Sequence, residues 1–158
     1  ERYDDAITQG VINILQQNQA TLQDLSTVKI GTTVGTNALL EHKGEPVLLV
    51  TTRGFRDAFR IAYQERPDLF ALNIQLPHML YAAVMEVDER VGPRGKCYQA
   101  LDVNEARKAM QAHYDKGYRA VAVVLMHAYK YPEHEQQLGK IAQDIGFEYI
   151  SLSSGVSS

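Results

Sequence analysis

The run Ala120-Val121-Ala122-Val123-Val124-Leu125 carries no polar side chain at all. Side chains of a strand alternate between its two faces, so this strand must be covered on both, as in the middle of a parallel sheet. Its full extent reads as Tyr118 to Met126, and Pro46 to Thr52 is a second near-continuous apolar strand of the same kind. Thr27 to Ile30 and Phe147 to Leu152 are shorter strands that complete the expected sheet core. Segments of helical period lie around these strands. Ala6, Ile7, Val11, Ile14 and Leu15 make one stripe of a helix over Asp4 to Gln17. Thr21 to Leu25 is a short helical turn with capping-box spacing, and Gly54 to Ala62 reads as helical. Asp102 to Lys116 is amphipathic and stops at Gly117, and a last helix opens at Pro132 and ends near Gly146. Val84 to Val91 reads as one strand, with Glu86, Asp88 and Arg90 opposite Met85, Val87 and Glu89. The turn Gly92-Pro93-Arg94-Gly95 follows it. Gln64 to Tyr81, with Pro67 and Pro77, is an extended excursion, and Ser153 to Ser158 a frayed polar end. Helices alternating with doubly apolar strands specify an α/β fold: a three-layer domain with a mostly parallel central sheet. The 158 residues suit one such domain, residues 1–158.

Composition narrows the function. Apolar residues make up 45% and charged residues 22%, the balance of an ordinary globular domain. A formal net charge of -3 supplies no positive field to recruit nucleic acid or an anionic membrane. The longest apolar run, Ala120 to Met126, is strand length and far short of the ~20 residues of a membrane span. Cys97 is the single cysteine, so neither a disulfide framework nor a cysteine-cluster zinc site is expected, and the cytoplasm is the natural compartment. The chain opens Glu-Arg-Tyr-Asp-Asp rather than on Met, as a piece of a longer protein would.

Three segments follow strands and so fall where open α/β sheets gather ligands. Gly31-Thr32-Thr33-Val34-Gly35-Thr36-Asn37 joins a strand to a helix that begins at Ala38 and stops at Gly44. Backbone N–H groups at such a helix start, with the Thr32, Thr33 and Thr36 hydroxyls and the Asn37 amide, suit an anion or an amide oxygen. Thr36 acting only as a helix cap is the alternative. No Lys follows Gly35 where a Walker loop requires one. Thr51-Thr52-Arg53-Gly54-Phe55-Arg56-Asp57 closes the second strand; Arg53 suits a carboxylate or phosphate, or else is an ordinary surface charge. His127 ends a buried strand, and His134 and Glu135 fall in the first turn of the helix after it, where acids favour the helix dipole. No histidine, cysteine or carboxylate spacing specifies a metal, and no catalytic serine motif is present.

The run GTTVGTNALLEHKGEPVLLVTTRGFRDAFRIAYQERPDLFALNI resembles the N-terminal region of the hydantoinase A and 5-oxoprolinase family. The likeness continues through PHMLY, MEVDERV, HAYKYPEHE and ISLSS, in the family's order, from about Val28 to Ser154. Gly35 departs from it, since the family usually has Ala there. The resemblance implies an ATP-dependent enzyme that opens a lactam or hydantoin ring through a phosphorylated intermediate, with relatives that carboxylate ketones. It implies ATP and magnesium in the parent enzyme, a small cyclic amide substrate, and a hydantoinase B type subunit or domain as partner. It also implies a piece of an actin-like ATPase-related fold whose Asp-x-Gly-Gly-Thr phosphate loop this sequence does not contain. The 158 residues alone are therefore expected to bind no cofactor and to be inactive, with the catalytic residues elsewhere. Within them Thr32, Thr33, Thr36, Asn37 and Arg53 are the candidate substrate- or nucleotide-binding residues. A non-catalytic α/β interaction module and an actin-like phosphotransferase are the other classes open to such a chain.

Overall fold

The computed structural model describes residues 6–29, 31–41, 43–61 and 78–156. The chain divides into two compact units, residues 1–37 and 38–158. In the first, helix α1 spans Ala6–Gln17. A short 3-10 turn at Leu22–Asp24 follows, in which the Asp24 carboxylate accepts from both the backbone N–H and the hydroxyl of Thr21, at 2.8 Å each. These two donors hold the Asp24 carboxyl below its ordinary value of 3.8, the backbone N–H having the larger effect. Thr27 to Lys29 form no strand, contrary to the expectation for Thr27 to Ile30; they are exposed, and Ile30 lies outside the described residues. Two β-branched residues, Thr27 and Val28, do not make a strand without a neighbour to pair with.

Helix α2 spans Val34–Leu40 and begins four residues earlier than expected. The second unit is built on a four-stranded parallel sheet of β1 (Val47–Thr52), β2 (Tyr81–Val87), β5 (Ala120–Val124) and β6 (Tyr149–Leu152), in the order β2-β1-β5-β6. The register sets Leu48 beside Val121 and Ala83, and Val50 beside Val123 and Met85. These residues share one face of the sheet. Against it pack Ala106 and Met110 of helix α4 (Val103–Asp115) and Leu138, Ile141 and Ala142 of helix α5 (Glu133–Ile145). The opposite face of β1 is covered as well, since Leu49 and Thr51 are both only 4% exposed. The mostly parallel central sheet with flanking helices is the expected architecture.

Local signals set the element ends. The Asp102 carboxylate accepts from the N–H groups of Asn104 and Glu105 and so caps α4. Gly146, at φ +106, gives α5 a left-handed C-cap. The expected strand Val84 to Val91 is two elements. After Val87 the chain turns away, and β3 (Arg90–Val91) pairs antiparallel with β4 (Cys97–Gln99) as a separate hairpin. Its turn residue Gly95 sits at φ +78, with the Tyr131 ring where a Cβ would go, so the hairpin rests on the β5–α5 connection. Helix α3 is shorter than expected, Ala58–Ile61, and Gln64 to Pro77 of the expected excursion lie outside the described residues. Ser153–Val156 forms a short helix, α6, instead of a frayed end. No helix among the described residues is long and apolar enough to cross a membrane.

Candidate functional site at the strand ends

The sheet order places a switch point between β1 and β5. From β1 the chain goes to β2 on one side, and after the hairpin and α4 it returns to β5 on the other. Ligands of open α/β sheets bind beyond the strand C-termini at such a point. Here those C-termini are tied by a buried polar network. Thr52, the last residue of β1 and fully buried, accepts from the Met126 N–H at 3.1 Å and donates its own proton to Glu89 Oε1. The second oxygen of Glu89 faces His134 Nδ1 at 2.8 Å. One carboxyl group thus joins the end of β1, the segment after β2 and the first turn of α5.

A second carboxyl group does the same for β5 and β6. Glu135 is fully buried. Its Oε1 accepts from the Leu125 N–H at 3.0 Å and from the Ser153 hydroxyl at 2.6 Å, and its Oε2 accepts from the Ser154 N–H at 2.9 Å. Three donors on two oxygens satisfy it internally, as burial of such a group demands. His127, just beyond β5, has a left-handed backbone at φ +63, an uncommon conformation for a residue with a Cβ. Its carbonyl accepts from the N–H groups of Lys130 and Tyr131, which closes the β5–α5 turn.

Arg53 begins the outer ring of this rim. It forms an ion pair with Asp88 at 2.8 Å, and its carbonyl accepts from Arg90 Nη2 at 3.0 Å. The Arg53 side chain is 59% exposed, so its other donors face solvent. Gly54, at φ +91, turns its N–H onto Glu86 Oε1 at 2.8 Å. Arg90 lies over the Phe55 ring at 5.1 Å.

The threonine loop belongs to the other part of the chain. Thr33 is the residue before α2, and its carbonyl accepts from the Asn37 N–H at 2.8 Å. The Thr32 hydroxyl accepts from the Val34 N–H at 3.2 Å. Thr36 and Asn37 lie inside the first turn of α2 and not in a loop before it, so Thr36 caps nothing. All four side chains are exposed.

The sequence placed Thr52, His134 and Glu135 at strand or helix ends without uniting them, and it missed Glu89, Ser153 and Ser154. Glu89 had a signal: it is the one charge on the apolar side of the Met85, Val87, Val91 alternation.

Residues 2–146 match the family described as the hydantoinase/oxoprolinase N-terminal region. The 5-oxoprolinase of Dictyostelium discoideum is 38% identical over 97% of this chain, and 5-oxoprolinase 1 of Arabidopsis thaliana is 37% identical over 98%. The chain spans only 15% and 14% of the length of those two relatives. Among solved structures, the ATP-dependent caprolactamase from Pseudomonas jessenii has the same fold, with a TM-score of 0.78 at 22% identity over 97% of this chain and 23% of that one. By the extent of these matches the chain belongs to the hydantoinase/oxoprolinase N-terminal region family.

Proposed function

We propose that this chain is part of an ATP-dependent cyclic amide hydrolase of the 5-oxoprolinase type, which opens a lactam or hydantoin ring by way of a phosphorylated intermediate. The observation that carries this is the 38% identity to a 5-oxoprolinase over 97% of the chain. Magnesium carried by a nucleotide needs only one or two protein carboxylates beside waters and the phosphates, so it requires no ligand cluster among the described residues. No three His, Cys, Asp or Glu among them gather as metal ligands. The buried carboxyl groups of the rim spend their oxygens on internal donors. ATP and magnesium belong to the whole enzyme in this reading. A hydantoinase B type subunit or domain is the proposed partner, and the 158 residues alone are inactive.

In this proposal Thr32, Thr33, Thr36 and Asn37 of the first unit and, separately, Arg53 of the second are ligand-binding residues of the parent enzyme. Their exposed hydroxyl, amide and guanidinium groups suit a carboxylate, phosphate or amide oxygen. The first test is ADP formation by full-length enzyme that depends on 5-oxoproline or a hydantoin, with the ring-opened product measured alongside. The second is Thr33→Val and Asn37→Ala in that enzyme. Both substitutions keep the backbone bond from the Asn37 N–H to the Thr33 carbonyl, so the start of α2 survives. Loss of a side-chain hydrogen bond made in the transition state lowers kcat roughly 10-fold or more. Wild-type kinetics in both variants would remove this loop from the ligand-binding residues.

A further inference from the structure

Glu89 and His134 form an arrangement that tying strands together does not require. The Thr52 hydroxyl oxygen accepts from the Met126 N–H, so its proton is directed onto Glu89 Oε1. Glu89 therefore acts as an acceptor, and its other oxygen takes the Nδ1 proton of His134. The Glu89 side chain is 0% exposed, whereas that of His134 is 13% exposed. The Nε2 atom of His134 has no partner among the described residues, and it is not a buried orphan. A buried carboxylate thus faces one nitrogen of an imidazole whose second nitrogen reaches the surface; in the neutral ring with its proton on Nδ1, that second nitrogen carries the lone pair. It does so at the strand ends beside the switch point. A metal would need further ligands, and no three such residues gather among those described.

We propose that Glu89–His134 is a proton-transfer dyad, in which His134 Nε2 takes a proton from the attacking water and Glu89 is the positioning residue. The proposal rests on the cyclic amide hydrolase reading above, with ATP as the co-reactant that drives the reaction. Once ATP has phosphorylated the ring amide oxygen, the oxygen of a water bonds to the amide carbon and one water proton passes to Nε2. The C–N bond then breaks with its electron pair on nitrogen, and the imidazolium returns the proton to that nitrogen. The products are an amine and an acyl phosphate, which a second water hydrolyses to a carboxylate and phosphate, and His134 ends as it began. A correctly held acid–base side chain contributes about 10²–10⁴-fold to rate.

The test uses the full-length enzyme. His134→Asn keeps a donor near the Nδ1 position for Glu89 and removes Nε2; it should lower kcat about 100-fold with KM and Tm near wild type. Glu89→Gln should do the same by a different route, since its amide N–H can donate to Nδ1 and move the proton to Nε2. Activity close to wild type in His134→Asn overturns the proposal. A second readout needs no turnover. Diethyl pyrocarbonate attacks an unprotonated imidazole nitrogen, and mass spectrometry locates the adduct. His134 should be labelled in the wild-type enzyme, and about 10-fold more slowly in Glu89→Gln. Absence of label on His134, or equal labelling in the two proteins, overturns the dyad. If wild-type enzyme labels as expected yet opens no cyclic amide with ATP, the proposed function fails while the dyad stands.

Discussion

Replacing Glu135 isolates the energetic role of the second buried carboxyl group. In Glu135→Ala three donors lose their acceptor: the Leu125 N–H, the Ser153 hydroxyl and the Ser154 N–H. Leu125 is only 6% exposed, so water does not readily replace its partner, and its N–H carries the full penalty of a lost charge-assisted bond, about 2 kcal/mol. The two serine donors are part-buried and recover some hydration, so about 1 kcal/mol each is the expected loss. The total is roughly 4 kcal/mol, a large share of the ~5–15 kcal/mol that holds a typical domain together. A chain of this size should then melt roughly 8–16 °C lower. Glu135→Gln should fall between, near ~2 kcal/mol, because glutamine has one acceptor oxygen and its amide N–H opposes a donor. Urea denaturation followed by circular dichroism, with equal slopes in all three proteins, gives the differences directly. A glutamine variant as stable as wild type, or an alanine variant within about 1 kcal/mol of it, would refute the assignment of Glu135 as a three-donor acceptor.

Three further outcomes follow from particular contacts. Met110→Ala empties a fully buried position of α4 in the sheet-facing core, and should cost ~2–5 kcal/mol in the same denaturation assay. Gly146→Ala forces a Cβ onto a backbone at φ +106, 3.3 Å from the Tyr114 hydroxyl oxygen; a loss of about 1–2 kcal/mol is expected, and an unchanged midpoint would contradict it. The Asp24 carboxyl titrates below 3.8 in the folded chain because two Thr21 donors favour its charged form. A depressed folded value gives stability that is present above the unfolded value and is lost as pH falls through the folded one. Thr21→Val removes the hydroxyl donor and should raise the Asp24 midpoint in a carboxyl-carbon NMR titration, while the retained backbone donor keeps it below 3.8.

The centre of the sheet was legible because β1 and β5 are apolar on both faces. Val121 and Val123 are 2% and 0% exposed, and β1 is buried throughout its last five residues. Burial on both sides leaves such segments no alternative partner. Helix ends with a capping side chain or a left-handed glycine, at Asp102 and Gly146, were legible for equally local reasons. The failures share a cause as well. Thr27 to Ile30 has strand propensity, but pairing is a property of two segments, and no propensity supplies the second. Val84 to Val91 alternates, imperfectly at Glu89, yet the chain leaves the sheet at Val87 because the next residues bind elsewhere: Asp88 to Arg53, Glu89 to Thr52 and His134.

Those bindings also explain why the rim network escaped a linear reading. Thr52 and Glu89 are 37 residues apart, and Glu89 and His134 are 45 apart. No spacing rule spans such distances, whereas a parallel sheet does so by returning each strand end to the same edge. The residual signal was periodicity broken by charge. Glu89 sits in the apolar half of an alternating strand pattern, and Glu135 sits three residues before Leu138 on the buried stripe of α5. Read as first-turn acids or strand solvation, both belong outside. Their burial is tolerable only because each oxygen meets a donor from another element. A carboxylate on an apolar face therefore forecasts a convergence of backbone and side-chain donors at that point, even where the sequence cannot say which segments converge. In this sheet the convergence falls on the strand ends, the edge where open α/β sheets gather ligands.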